Sequence, residues 1–319
     1  MDVHLSADDL RVALENDVRT GLTATHKWLP PVWFYDDAGS ALFDEITRLP
    51  EYYLTRAERA LLEAHAPDIA VAAQADTLVE LGAGTCDKSR VLLDAMEGTG
   101  GLRRYVPLDV SDGTLWSAAT ALADEYPGLQ VHAVVGDFHL HIDRVPSEGR
   151  RLVAFLGSTI GNLTPQQRAR FLFDLDCMMA HGDRLLLGTD LVKDPARLLA
   201  AYDDSQGVTA AFNRNVLHVL NRELHASFDP ERFEHVALWN EGAKRIEMRL
   251  RSLTDQRVSI ADLSLEVNFS AGEDLLTEIS SKFTRPGVQD ELYAAGFLVD
   301  SMWEAPGGDF LLTLARPYC

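Results

Sequence analysis

The stretch Glu80-Leu81-Gly82-Ala83-Gly84-Thr85-Cys86 sets two glycines where an apolar run hands over to a helical one that begins at Lys88. Glycine permits a sharp turn and a close approach of backbone to ligand, and the helix start behind it offers unpaired N–H groups. A lone G-x-G is weak evidence of a nucleotide site. Here Asp109 ends the next apolar run, where a carboxylate can accept both ribose hydroxyls of an adenosine, against the plainer reading of an ordinary strand-ending aspartate. Gly136-Asp137-Phe138 after a third run adds an acid for the adenine amino group beside an aromatic wall. The Walker pattern GxxxxGK(S/T) is missing, which argues against nucleotide hydrolysis of that style. The place of the third glycine in a dinucleotide fingerprint is held by Asp87, whose charge would oppose a pyrophosphate. S-adenosylmethionine carries no phosphate, and its ammonium and sulfonium are positive, so carboxylates such as Glu80 and Asp87 suit it. Methyl transfer is favoured over hydride transfer.

These residues need a scaffold, and the hydrophobic pattern supplies one. Apolar strands at 77–81, 104–108, 131–135, 152–156 and 184–188 are separated by helical stretches at 88–96, 114–126 and 165–180. Such alternation predicts an α/β fold with a parallel sheet covered on both faces. The pattern then breaks. Helices at 196–202 and 209–224 precede strands at 245–250 and 263–269 that alternate at period two, with Ile246, Met248 and Leu250 opposite Glu247 and Arg249. Two half-buried strands of this kind predict an antiparallel sheet in a second domain. After Lys282 the first pattern resumes with a helix at 288–295 and strands at 297–303 and 310–315 around Pro306-Gly307-Gly308. That hairpin completes the first sheet antiparallel to its neighbours. The amino-terminal part holds helices at 10–18, 40–47 and 56–66, together with Trp33-Phe34-Tyr35-Asp36 and Pro50-Glu51-Tyr52-Tyr53. The aromatic clusters suit a lid or cap, or a plug in the seam between domains. The expected division is a core at 57–194 and 283–319, and a second domain from 1–56 and 195–282.

Composition narrows the partners. Forty-nine acidic residues against 29 Lys and Arg give the 319-residue chain a net charge of -20, which disfavours a partner with a dense phosphate backbone. No apolar run approaches the roughly 18 residues of a membrane span, and the amino terminus lacks the basic and apolar segments of a secretory signal. A cytoplasmic protein without membrane or nucleic-acid partners is expected. Cys86, Cys177 and Cys319 lie far apart and form neither a disulfide framework nor a metal-ligand pair. Cys86 at a helix start could be a thiolate nucleophile, but a small residue in a tight turn is the simpler assignment. His139 and His141 have a spacing that would put both on one face of a strand and toward a metal, although their flanks read as a surface connection. No metal is expected.

Phe34-Tyr35-Asp36, Leu49-Pro50-Glu51-Tyr52-Tyr53, Glu80-Leu81-Gly82-Ala83-Gly84-Thr85, Phe155-Leu156-Gly157-Ser158-Thr159-Ile160-Gly161-Asn162 and Leu187-Gly188-Thr189-Asp190 together resemble the L-histidine Nα-methyltransferases of ergothioneine biosynthesis. The resemblance runs from about Leu22 to Ala315. It implies a Rossmann-like class I methyltransferase sheet with an inserted α+β substrate-binding domain, and three methyl transfers from S-adenosylmethionine that turn histidine into hercynine. It also implies roles. Gly82, Lys88, Asp109, Asp137 and Phe138 would hold the methyl donor. Asn162 would bond the amino and carboxylate groups of histidine, with Tyr52 and Tyr202 fixing that polar head. Tyr35 would lie near the amine, and Gly157 and Thr159 near the transferring methyl. Glu278 and Ser280 would recognise the imidazole, between apolar walls from Met248 and Phe43. Ala83 and Cys86 stand where similar family members tend to have serine, which removes hydroxyl contacts to the cofactor and leaves the backbone ones.

The residue types suit those roles on physical grounds. An asparagine amide donates and accepts, so one side chain can orient both polar groups of an amino acid. Glu278 and Ser280, two apart, reach one side if their segment is extended. A carboxylate that takes an imidazole N–H rejects substrates lacking that group, because the site is then left unpaired. Plainer roles stand beside these: Glu278 paired with a surface arginine, and Met248 as core filler. The chemistry would be an in-line displacement by a neutral amine, driven by positioning and desolvation, with Tyr35 orienting the amine or relaying its proton. A single chain, acting as a monomer, suffices for this scheme. The alternatives are methylation of another amino acid or small amine, and a regulatory protein that only binds S-adenosylmethionine.

Overall fold

The computed structural model describes residues 1–318 apart from Thr85 and Asp87. The expectations for those two residues and for Cys319 therefore lie outside the described residues. In chain order the elements are β1 (Asp2–Val3), α1 (Ala7–Thr23), α2 (Asp37–Ile46), α3 (Leu54–Ala73), β2 (Thr77–Leu81), α4 (Ser89–Gly98), β3 (Arg104–Asp109) and α5 (Asp112–Glu125). Two short strands, β4 (Gln130–Val131) and β5 (Val134–Val135), lead to β6 (Arg151–Phe155), α6 (Pro165–Met178) and β7 (Arg184–Asp190). Then come α7 (Pro195–Tyr202), α8 (Val208–Leu224), β8 (Phe233–Asn240), β9 (Arg245–Ser252), β10 (Gln256–Ile260), β11 (Leu265–Phe269) and β12 (Asp274–Ser281). The chain closes with α9 (Arg285–Ala294), β13 (Phe297–Glu304) and β14 (Phe310–Pro317). It divides into two compact units, one of residues 1–5, 54–192 and 282–319, the other of residues 6–53 and 193–281.

The first unit is a sheet in the order β1-β5-β3-β2-β6-β7-β14-β13, with β4 also paired to β3. Strands β2, β3, β6 and β7 are parallel, and β14 runs antiparallel to both β7 and β13. This is the Rossmann-like α/β sheet that the resemblance implies, and the carboxyl-terminal hairpin completes it as the pattern predicts. Strands β2 and β6 are buried along their whole length, which is why they read as continuous apolar runs rather than alternating ones. One core gathers Leu61, Leu62, Leu92, Leu93, Tyr105 and Phe310, and the other Phe171, Leu175, Leu187, Leu292 and Phe297. Helix α6 starts on a capping box between Thr164 and Gln167, with Pro165 in its first turn. The strand order reverses beside β2, whose neighbours are β3 and β6. Open sheets of this type bind ligands beyond the carboxyl ends of the strands at such a reversal.

Three expectations are corrected. The stretch 131–135 is not one strand but two: β4 pairs with Arg104 and Tyr105, and β5 with Leu108 and Asp109. Residues 1–5 belong with the sheet and not with the second domain, because β1 pairs in parallel with Val134 and Val135 and Asp2 bonds His132 at 2.8 Å. The strands expected at 245–250 and 263–269 do not share a sheet. In the second unit β9 is the middle of a three-stranded sheet ordered β12-β9-β8, while β11 pairs with β10. Residues 261–263 form a single helical turn before β11. Glu247, on the face opposite Ile246 and Met248, is buried between Arg245 and Arg249. Among the described residues no helix is long and apolar enough to cross a membrane.

Candidate active site

In the first unit, the turn after β2 has the backbone that its glycines predict. Gly82 and Gly84 have φ of 71° and 52°, in the left-handed region, and a Cβ added to either would meet nothing within 4 Å. The loop therefore presents bare backbone to open space. Asp109, ending the adjacent β3, accepts from the Gly84 N–H at 2.9 Å through one oxygen and from the Ser111 N–H at 3.0 Å through the other. Burial pushes its carboxyl up in pKa, against the pull of those N–H groups. Each oxygen keeps further acceptor capacity, the chemistry that a ribose diol requires. Gly136 bonds the Asp109 carbonyl at 2.9 Å, which sets Asp137 and Phe138 beside it. The Phe138 ring packs on Phe155 and Phe171 at centroid distances of 5.2 and 5.6 Å. Glycine backbone, a carboxylate with spare acceptor capacity, a second acid and an aromatic wall thus stand at the ends of three adjacent strands, a set of donors and acceptors that fits S-adenosylmethionine.

Glu80 departs from expectation, while Cys86, His139 and His141 follow the simpler of the readings their sequence allows. Glu80 is buried, takes the Tyr105 hydroxyl at 2.7 Å and bonds Ser89 at the start of α4. It anchors the start of that helix. Burial and the neighbouring Glu80 push the Cys86 thiol up to about 12, so it is no thiolate. His139 and His141 lie in the turn after β5 and not on a strand, and His141 Nδ1 accepts from the Asp137 N–H at 3.1 Å. Among the described residues no group of three potential ligands stands where it could hold a metal.

Glu58 is a residue that sequence reasoning missed. It is fully buried on α3, takes the Lys88 ammonium at 2.6 Å with one oxygen and the Gly157 N–H at 2.7 Å with the other. One carboxylate therefore fixes both the lysine after the glycine loop and the turn after β6. That turn is sharp, with φ of 74° at Gly157 and 57° at Ser158. Ser158 Oγ accepts from the Asp190 N–H at 2.9 Å, and Thr159 donates to the Leu156 carbonyl at 2.9 Å. Asn162 ends the single helical turn Thr159–Asn162 and is half-buried. The signal for Glu58 was present: it sits three and four residues before Leu61 and Leu62, on the buried face of its helix.

In the second unit the expected substrate residues gather into one cluster. The rings of Tyr35 and Phe43 lie 5.6 Å apart, Phe43 and Tyr52 6.2 Å, and Tyr52 and Tyr202 6.3 Å. Phe212 on α8, unassigned from sequence, touches Phe34, Tyr35 and Phe43 and is the floor of this aromatic series. Tyr53 is clamped by Lys193, which bonds its hydroxyl at 2.6 Å, and by Arg197 over its ring at 4.6 Å. The Tyr202 hydroxyl stands 2.8 Å from Ser280 Oγ. Glu278 and Ser280 lie on β12, whose extended form meets the condition for their sharing a side, and Met248 on β9 stands directly opposite Glu278. Opposed residues of an antiparallel pair point to one face. Glu278 is only 9% exposed.

Residues 14–317 match the model of a family described as histidine-specific, SAM-dependent methyltransferases. The chain belongs to that family. It is 58% identical over 312 residues to the histidine N-alpha-methyltransferase of Mycolicibacterium smegmatis, covering 98% of this chain and 97% of that protein. It is 56% identical to the histidine N-alpha-methyltransferase of Mycobacterium tuberculosis over the same shares. Ergothioneine biosynthesis protein 1 of Neurospora crassa is 32% identical over 67% of this chain and 26% of that longer protein.

Proposed function

We propose that the chain methylates the α-amine of L-histidine three times with S-adenosylmethionine, giving hercynine in the synthesis of ergothioneine. The observation that carries the substrate assignment is the nearly buried Glu278 beside Ser280, with the Tyr202 hydroxyl on Ser280 and the aromatic series running on to Tyr35. A carboxylate so placed takes an imidazole N–H and rejects an amino acid that lacks one. The names of the relatives support the same substrate and pathway.

In this scheme Gly82, Lys88, Asp109, Asp137 and Phe138 hold the donor. When bound, S-adenosylmethionine supplies a methyl group on a positive sulfur, which leaves as a neutral thioether and needs no proton. Asn162, Tyr52 and Tyr202 fix the amino and carboxylate groups of histidine. Glu278 and Ser280 hold the imidazole, and Met248 and Phe43 flank it. Asn162 with Tyr52 and Tyr202 would present the neutral amine's lone pair to the methyl group that the donor supplies. Tyr35 orients the amine or passes its proton to water before each attack. Gly157 and Thr159 border the transferring methyl. The protein is assigned to the cytoplasm as a monomer, and its net charge of -20 opposes a nucleic-acid partner.

A substrate panel tests the assignment. Transfer to histidine should exceed transfer to phenylalanine, tryptophan and leucine by at least about a hundredfold in kcat/KM, as a polar requirement demands. Comparable turnover of an amino acid without an imidazole would overturn it.

A further inference from the structure

A chain of buried hydrogen bonds encloses the recognition segment of β12. Thr277 is the extra residue of a β-bulge, inserted between the pairs Leu276–Arg249 and Glu278–Met248. Bulges re-aim the side chains that follow them. The Thr277 hydroxyl lies 2.6 Å from Asn213 Oδ1 and 3.0 Å from the Met248 carbonyl. Asn213, on α8, directs Nδ2 to the Arg249 carbonyl at 3.1 Å and to His235 Nδ1 at 2.9 Å. His235, on β8, directs Nε2 to the Tyr202 carbonyl at 2.8 Å. The Tyr202 hydroxyl then reaches Ser280, three residues beyond Thr277 on the same strand. The circuit starts and ends on β12, with Glu278 between its ends.

The proton positions on Asn213 and His235 are determined by the carbonyls of Arg249 and Tyr202. The Arg249 carbonyl only accepts, so Asn213 must turn its nitrogen toward it. That same nitrogen donates to His235 Nδ1, which must be the unprotonated ring nitrogen. The ring proton is then on Nε2, facing the Tyr202 carbonyl, which also only accepts. Thr277, Asn213 and His235 are all buried, so a misplaced proton in the chain leaves two donors or two acceptors face to face at the cost of an unsatisfied buried group. Burial also holds the His235 pKa below its usual value, with Asp203 and Asp204 opposing this and Arg214 adding to it.

Resting on the assignment of Tyr202, Glu278 and Ser280 to histidine recognition, we propose that Asn213 and His235 are positioning residues. Through Thr277 and the Tyr202 carbonyl they fix the bulge and the helix end that aim Glu278 and Ser280, and so set specificity for an imidazole-bearing substrate without touching it.

The test uses the full chain, with histidine and S-adenosylhomocysteine affinities from calorimetry and the His235 ring nitrogens followed by NMR without ligand. Thr277→Val should weaken histidine binding about tenfold with S-adenosylhomocysteine affinity unchanged, while Thr277→Ser, which keeps the hydroxyl, should stay within roughly twofold of wild type. Asn213→Asp cannot donate to Nδ1, so its His235 should take a second proton at a pH where the wild-type ring is neutral, and histidine affinity should fall. Wild-type histidine affinity in both Thr277→Val and Asn213→Asp would overturn the proposal, as would a wild-type ring protonated on Nδ1. Equal loss of both ligands with a lowered melting temperature would reduce the circuit to a structural role and overturn it as well. A wild-type chain with no histidine affinity would overturn the substrate assignment itself, a failure told apart because the ligand-free ring tautomer does not depend on it.

Discussion

Replacing Glu58 with glutamine separates the two tasks of its carboxylate. The retained oxygen still accepts the Gly157 N–H, while the new amide turns a donor toward the Lys88 ammonium that the acid takes at 2.6 Å. Breaking one side of a fully buried ion pair costs about 3–5 kcal/mol. The Lys88 side chain is 25% exposed, so water takes up part of its charge and the expected loss of stability is nearer ~1–3 kcal/mol. In the proposed site Lys88 then loses the anchor that sets it toward the methyl donor. One charge-assisted hydrogen bond, ~1.5 kcal/mol, corresponds to roughly a tenfold rise in Kd for S-adenosylhomocysteine. Urea unfolding gives the first quantity and titration calorimetry the second. A protein that loses stability but binds S-adenosylhomocysteine as wild type does would refute the positioning of Lys88 by Glu58. Tighter binding would refute it too, since Glu58 would then be competing with the ligand for Lys88.

Gly188→Ala would set a Cβ 2.2 Å from Glu58 Oε1 and 3.2 Å from the Phe310 ring, so urea unfolding should show a loss of ~1–3 kcal/mol; an unchanged midpoint would mean that the carboxylate is not held there. Glu278→Ala should weaken histidine binding about 10- to 150-fold, the loss of a hydrogen bond to a charged group, and leave S-adenosylhomocysteine affinity within roughly twofold. Calorimetry decides, and equal losses would remove Glu278 from the substrate site. For pH, His235 is held neutral by burial, with its folded pKa below the unfolded value of about 6.5. Its contribution to stability is therefore complete above about pH 6.5 and is lost as the pH falls toward the folded value, because the unfolded chain takes the proton first. Urea midpoints from about pH 7 down to about pH 5 should fall less steeply in His235→Asn than in wild type; parallel curves would contradict a buried neutral ring.

The sheet was legible because burial on both faces leaves β2, β6 and β7 almost uniformly apolar and the connections to their neighbours helical. The glycine turn was legible for a different reason: only glycine tolerates φ of 71° without strain. In the second unit β12 was harder. Its sequence from Asp274 to Ser281 mixes Leu275 with buried Thr277, Glu278, Ser280 and Ser281, and the bulge shifts its register midway, so no period of two survives. Strand β9 departs from the half-buried pattern, because Glu247 is buried by arginines on its own strand. The unread part of the site has a common physical origin. Glu58, Asn213 and His235 are polar residues whose burial depends on partners far along the chain, such as Gly157, 99 residues from Glu58. Local pattern assigns a polar residue to solvent, and only the fold supplies the partner that makes its burial affordable.

The central claim concerns which nitrogen is methylated and how often. Incubating the chain with L-histidine and excess S-adenosylmethionine, then analysing the product by mass spectrometry and NMR, addresses both. The account predicts a product three CH₂ units heavier than histidine, with all three methyl groups equivalent on the α-nitrogen and the ring protons still those of an unsubstituted imidazole. Methyl groups on the ring nitrogens, or an unmodified histidine beside a methylated amino acid of another kind, would contradict it.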